Sequence, residues 1–235
     1  MRFPSPLLPG ILRRRYKRFL ADILLDTGEE VTAHCANSGA MWGIKEPGLR
    51  VWVSRVPPES KGKLDYKWEI VEADETLIGC HTGRPNDIVA AAIAAGDIPE
   101  LAGYATLRRE VAYADRSRID ILLEDPEKGR CYVEVKNVHM CRSKGLAEFP
   151  DAVTVRGAKH LDALAAMVAQ GHRAVNLYLL QRDDCPQFTL AEDIDPTYAD
   201  RARCARQAGV TMLAYNCNVS LDAITVKEKV TIIFK

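Results

Sequence analysis

The spacing of apolar and polar residues changes near residue 80. Up to that point the chain alternates in short runs broken by Gly and Pro. Arg15–Leu25 reads as one long strand that turns at Asp26-Thr27-Gly28, and Glu30–Cys35 as a second. Leu49–Val56 is a third, ending at Pro57-Pro58, and Tyr66–Glu72 and Thr76–Cys80 are two more. Alternation sends successive side chains to opposite faces, so each run can bury one face. About five short strands between turn signals predict a small barrel of the oligonucleotide-binding (OB) kind. Beyond residue 82 the period lengthens. Asn86–Ala95 is Ala-rich and helical, and stops at Gly96. A strand (Ala105–Tyr113), a hairpin (117–136), a helix (Val155–Gln170), a strand (Arg173–Gln181), a helix (Pro196–Ala208) and a strand (Val210–Cys217) follow. The order α-β-β-β-α-β-α-β predicts a mixed sheet flanked by helices. The expected fold class is α/β with a β-barrel, residues 1–81 forming an OB-fold-like nucleic-acid-binding barrel and residues 82–235 the α/β domain.

The hairpin carries the candidate chemistry. Ser117–Leu123 and Cys131–Lys136 flank the charged turn Glu124-Asp125-Pro126-Glu127-Lys128-Gly129. Ile119 and Ile121 point one way along the first strand, and Arg118 and Asp120 the other. Val133 and Val135 share a face of the second, and Glu134 and Lys136 share its opposite. Pairing the apolar faces brings Asp120, Glu134 and Lys136 to one side. Two carboxylates and an ammonium on rigid strands suit a divalent metal and an activated water facing a phosphodiester. A solvated cross-strand ion pair is the plainer reading of the same pattern. Glu110, on the preceding strand, has the parity of a further ligand or of a cross-strand partner for Arg118.

Two basic clusters bear on partners. Arg13, Arg14, Arg15, Lys17 and Arg18 fall within six residues around Tyr16, and no acid occurs from Arg2 to Ala21. Cations mixed with an aromatic suit a nucleic-acid backbone with a base stacked nearby; a charged edge strand that resists aggregation is the alternative. Arg156, Lys159 and His160 are spaced i, i+3, i+4 on the helix after the hairpin, opposite an apolar stripe of Leu161, Leu164, Ala165 and Val168. With Gly157 permitting close approach, this helix start is read as a phosphate contact, with Asp151 as its cap.

Net charge is zero, which argues against a uniformly basic coat but leaves room for local patches. No apolar run approaches the ~18 residues of a membrane span. The N-terminus lacks an apolar core with a cleavage site, so a cytoplasmic location is expected. The seven cysteines are odd in number and contain no Cys-x-x-Cys pair. Buried thiols in a reducing compartment explain them better than a zinc site made by His34-Cys35 and Cys80-His81.

The element order and the Asp…Glu-x-Lys site are similar to the PD-(D/E)xK nuclease superfamily. Five blocks extend the likeness: 15–22 (RYKRFLAD), 34–41 (HCANSGAM), 117–120 (SRID), 133–138 (VEVKNV) and 149–161 (FPDAVTVRGAKHL). In order and over nearly the whole chain, they resemble the sugar fermentation stimulation protein A family. Ile119 stands where the superfamily motif has Pro, and His81-Thr82 where the family commonly has Asn-Thr. The resemblance implies an OB-like barrel fused to a restriction-endonuclease-like, mixed-sheet PD-(D/E)xK domain. It also implies DNA binding without strong sequence preference, with RNA as an alternative partner, and a regulatory link to sugar (maltose) metabolism in bacteria. If the site is catalytic, Asp120, Glu134 and the Val135 carbonyl would ligate Mg²⁺ or Mn²⁺, and Lys136 would hold the attacking water. Arg118 joins Arg13–Arg18, Arg156, Lys159 and His160 as an expected nucleic-acid contact.

Overall fold

The computed structural model describes residues 1–57, 59, 62–114 and 117–234. Six strands open the chain: β1 (Leu8–Tyr16), β2 (Leu20–Leu25), β3 (Glu30–His34), β4 (Arg50–Arg55), β5 (Tyr66–Ala73) and β6 (Thr76–Gly79). Antiparallel pairing links β3, β2, β1, β4 and β5 in turn, and a short parallel pairing of β3 with β5 closes the ring. Five strands therefore make a closed barrel with β6 added outside on β5. Closure removes the exposed edges that an open small sheet would leave. Leu12, Ile23, Val51, Val53 and Trp68 fill it.

The expected single strand Arg15–Leu25 contains a turn: it takes in all of β2 but only the last two residues of β1, whose stretch from Leu8 to Arg14 was not expected as strand. Lys17 and Arg18 adopt left-handed backbone (φ 47° and 63°), which folds β1 back on β2. Nothing in the residue pattern marks this turn, because Gly or Asn ordinarily fills such positions.

After α1 (Pro85–Ala95) come β7 (Thr106–Ala114), β8 (Ser117–Asp125), β9 (Gly129–Val138), β10 (Met140–Ser143) and β11 (Leu146–Phe149). Next are α2 (Val155–Ala169), β12 (Arg173–Leu180), β13 (Gln187–Leu190), α3 (Pro196–Gln207), β14 (Thr211–Val219), β15 (Ile224–Lys229) and β16 (Thr231–Ile233). The main sheet has the order β15-β14-β12-β9-β8-β7, with β12 parallel to both neighbours. A smaller sheet, β10-β11-β13-β16, lay outside the expected elements because its strands are only three or four residues long. Gly96, at φ 82°, ends α1 as the pattern predicts.

Alternation along the main sheet produces two apolar layers. Cys131, Val133, Val135, Val175, Leu177 and Leu179 pack with Ile88, Val89 and Ile93 of α1. Tyr132, Tyr178 and Leu180 pack with Leu161 and Leu164 of α2 and Tyr198 and Ala202 of α3. Trp52 and Ile70 of the barrel belong to the α1 layer, so the two parts share one apolar cluster.

Candidate metal and nucleic-acid site

The β8–β9 ladder runs from Asp125 opposite Gly129 to Ile121 opposite Val133 and stops there. Beyond that point a carboxylate replaces a strand partner: Asp120 Oδ2 accepts the Val135 N–H at 2.7 Å. Alternation along β8 lapses at the same place, since Ile121 packs in the α1 layer and Ile119 in the α2 layer. The neighbouring strand is irregular too, with Glu110 at φ 53°. Simple parity had put Ile119 and Ile121 on one face; the local break is what frees Asp120 to reach β9.

Glu134 lies on the α2 side and is only 3% exposed. Its Oε1 accepts from Lys136 Nζ at 2.7 Å and pairs with His160 Nδ1. Arg156 Nε donates to His160 Nε2 at 3.2 Å. With Nε2 accepting, the ring proton sits on Nδ1, facing Glu134. Burial pushes the Glu134 carboxyl up, but the His160 hydrogen bond and the Lys136 charge together outweigh it and hold it below the ordinary range. Asp120 shifts the other way: burial, then the charge of Glu134, raise it over the bonds from Val135 and Asn86.

Asn86 on α1 was not a sequence candidate. Its Nδ2 donates to Asp120 Oδ1 at 2.9 Å and to Glu110 Oε1 at 3.3 Å, joining the two carboxylates. Its one available signal was position, in the first turn of a helix that packs against β8. Arg118 Nη1 donates to the Glu110 backbone oxygen at 3.4 Å, so it does not pair with the Glu110 carboxylate. Tyr113, on β7, is subject to the charges of both Glu134 and Asp120.

The donor set fits a hard divalent cation. Glu134 Oε2 is buried and has no hydrogen-bond partner among the described residues. A buried and a half-buried carboxylate that repel each other, the buried one with an idle oxygen, are what a bound cation would reconcile. The cysteines offer less. Cys35 Sγ points to Met41 Sδ and Cys80 Sγ to the Trp68 carbonyl, both in the barrel core. Among the described residues, Cys141, Asp184 and Cys185 bring ligand atoms close together, but Arg182 holds both Asp184 oxygens at 2.6 Å.

The basic residues separate into two groups. Arg14 pairs with Asp22 at 2.7 Å and lies 4.7 Å over the Tyr16 ring, and the Tyr16 hydroxyl also bonds Asp22. Arg15 Nη2 donates to the carbonyls of Asn37 and Gly39, a structural role. Arg13, Lys17 and Arg18 are exposed and make no side-chain ion pair or hydrogen bond among the described residues. On α2, Arg156 and Lys159 are exposed while His160 turns inward. The expected three-residue basic face is therefore two cations over a buried histidine. Asp151 does not cap α2; Thr154 does, accepting from Gly157 N. Asp151 Oδ2 instead accepts the Met41 N–H of the barrel at 2.9 Å and lies 3.3 Å from His139 Nε2.

A closed five-stranded barrel joined to a mixed sheet that carries Asp120 and Glu134 defines the class: an OB barrel fused to a restriction-endonuclease-like domain. Residues 14–80 match the SfsA N-terminal OB domain, and residues 83–223 match the sugar fermentation stimulation protein RE domain. A sugar fermentation stimulation protein homolog from Rhodospirillum centenum is 62% identical over 224 residues, covering 95% of this chain and 96% of the relative. Another, from Maricaulis maris, is 55% identical over 226 residues, covering 96% of each. The structure of Pyrococcus furiosus SfsA in complex with Ca²⁺ superposes with a TM-score of 0.88 at 25% identity, over 99% of this chain and 98% of that one. The chain belongs to the sugar fermentation stimulation protein family.

Proposed function

We propose that this chain binds DNA with little sequence preference and hydrolyses its phosphodiester bonds at the Asp120–Glu134–Lys136 site, using Mg²⁺ or Mn²⁺. The observation that carries the reading is the idle, buried Oε2 of Glu134, a carboxylate whose other oxygen holds Lys136 Nζ and whose charge acts on Asp120. The Ca²⁺ in the related Pyrococcus furiosus structure supports a divalent ion. Asp120, Glu134 and the Val135 carbonyl would hold it, and Glu110 reaches the same place through Asn86. When bound, the metal supplies Lewis-acid polarisation of a phosphoryl oxygen and lowers the pKa of a water. His160 and Lys136 keep Glu134 ionised. Lys136 Nζ has further N–H bonds to give beyond that to Glu134, for the attacking water or the charge growing on the phosphate. Arg13, Lys17 and Arg18, with Arg118, Arg156 and Lys159, supply backbone contacts. RNA, which carries the same phosphates, is the second substrate to test. Free thiols throughout suit a reducing cytoplasm. Any effect on sugar metabolism would follow indirectly from nucleic-acid processing.

Purified protein incubated with single-stranded, duplex and branched DNA and with RNA, plus Mn²⁺ or Mg²⁺, tests the chemistry. Metal-dependent cleavage that disappears in Asp120→Asn and Glu134→Gln is expected. Cleavage that survives both variants, or none with any substrate, overturns the enzymatic part. Binding measured separately in EDTA should weaken steeply with salt, as counterion release requires; a flat salt response overturns the binding part.

A further inference from the structure

A cleft of about 260 Å³ separates the barrel from the second domain. One wall is barrel loop, with Arg18 and Asn37–Gly39; the other includes His139 and Phe149–Thr154. Phe19 follows Arg18 in the left-handed turn, is 45% exposed, and has its ring 6.4 Å from His34 in stacked geometry. Trp42 is 53% exposed, and the residue before it, Met41, bonds Asp151 across the cleft. Opposite, Val153 and Val155 flank the cap of α2 and are 69% and 67% exposed. Of the five exposed large apolar side chains among the described residues, Val153 lines this cleft, Phe19 and Val155 each adjoin a lining residue in sequence, and Trp42 lies three residues beyond the lining Gly39.

The cations at and beside the cleft select the occupant. Arg18 lines it, and neither Arg18, the adjoining Lys17 nor Lys159 on α2 has a side-chain partner among the described residues. Lys45 donates to the Ala40 carbonyl at 2.7 Å and lies 5.4 Å from the Trp42 ring. Exposed rings interleaved with free cations match unstacked bases on a phosphate backbone, whereas duplex bases have no free face to offer. Two elements also lead from the cleft to the metal site. Asn137 lines the cleft and follows Lys136; Thr154 lines it and precedes His160 by six helical residues, about 9 Å.

Resting on the function proposed above, we infer that this cleft binds an unpaired strand, with bases stacking on Phe19 and Trp42, so that the substrate is single-stranded or carries a single-stranded end. Trp42 makes the inference measurable, because Trp52 and Trp68 are buried. In EDTA, titration with an oligo-dT should quench Trp42 fluorescence, and labelled oligo-dT should bind roughly tenfold or more tightly than a blunt duplex of equal length. Phe19→Ala and Trp42→Ala should each weaken oligo-dT binding about tenfold, within the range known for base–aromatic stacking, and leave duplex binding unchanged. Both side chains are surface-exposed, and unchanged thermal unfolding will show that the variants fold. Equal affinity for the two DNAs, or variants that bind oligo-dT like the parent, overturns the inference. The assay contains no metal, so Asp120→Asn should bind like the parent. Loss of cleavage in that variant with retained binding separates the two claims.

Discussion

At the level of single residues, the site is held together by conflicting demands on charge. Asp120 is half-buried near Glu134, and the desolvation and the neighbouring charge both raise it above the ordinary carboxylate range. A raised folded-state pKa means that the ionised form costs stability, increasingly as pH rises through that value. Asp120→Asn removes that charge but turns an amide NH₂ toward one of two N–H donors, Val135 N or Asn86 Nδ2, so the metal-free variant is expected to melt close to the parent at pH 7. The same variant should lose the Tm increase that Mn²⁺ gives the parent; thermal scans with and without Mn²⁺ check both. Lys136 has a different role. Lys136→Met should lower single-turnover cleavage by about 10²-fold or more, the scale of losing one donor to developing charge, while the Mn²⁺-induced Tm shift persists. His160→Ala removes one of two partners from buried Glu134 and should cost about 1–3 kcal/mol in urea unfolding.

At the level of elements, the start of α1 is tied to the barrel by a buried ion pair. Glu69 on β5 accepts from Ser54 Oγ at 2.7 Å and from Arg84 Nε at 3.0 Å, and Arg84 is the N-cap residue of α1. Burial raises the Glu69 carboxyl, but Arg84 and the charge of His81 outweigh it and leave it lowered. This matters to the site because α1 carries Asn86. Glu69→Gln should destabilise by about 2–4 kcal/mol at pH 7, somewhat under the ~3–5 kcal/mol of a fully buried pair because Arg84 keeps some solvent contact. A lowered carboxylate stabilises in full above its unfolded pKa and loses that contribution as pH falls through the folded one. The gap between parent and variant should accordingly be constant above about pH 5 and close below the ordinary carboxylate pKa. Urea titrations at pH 7, 5 and 3.5 measure it.

At the level of the whole molecule, the proposed function depends on how the barrel meets the second domain. Trp52 and Ile70 join the α1 layer, and Asp151 reaches across to Met41 N. A Cβ on Gly39 would collide with both Asp151 carboxylate oxygens, so this contact requires glycine. Gly39→Ala should open the junction, raise proteolysis at the loops bordering the cleft, and weaken oligo-dT binding while the barrel itself stays folded. Limited proteolysis alongside anisotropy titration checks this.

Much of the architecture was legible in the residue pattern. Alternation and turn residues marked most of the barrel strands, Gly96 ended α1, and Asp120, Glu134 and Lys136 stood out as polar positions in apolar strands. These features depend on local periodicity, which a linear reading contains. The turn at Lys17–Phe19 escaped because its left-handed residues are not the usual ones. The three- and four-residue strands of the smaller sheet escaped because so short a run has no period to detect, and the six-residue β15 was not read either. Tertiary structure alone decided the rest: the lapse at Asp120, the inward turn of His160 onto Glu134, the bridge from Asn86, and the meeting of Arg18 and Val153 in the lining of one cleft. Each of these depends on segments 15 to more than 100 residues apart packing together, and sequence spacing carries no record of which face meets which.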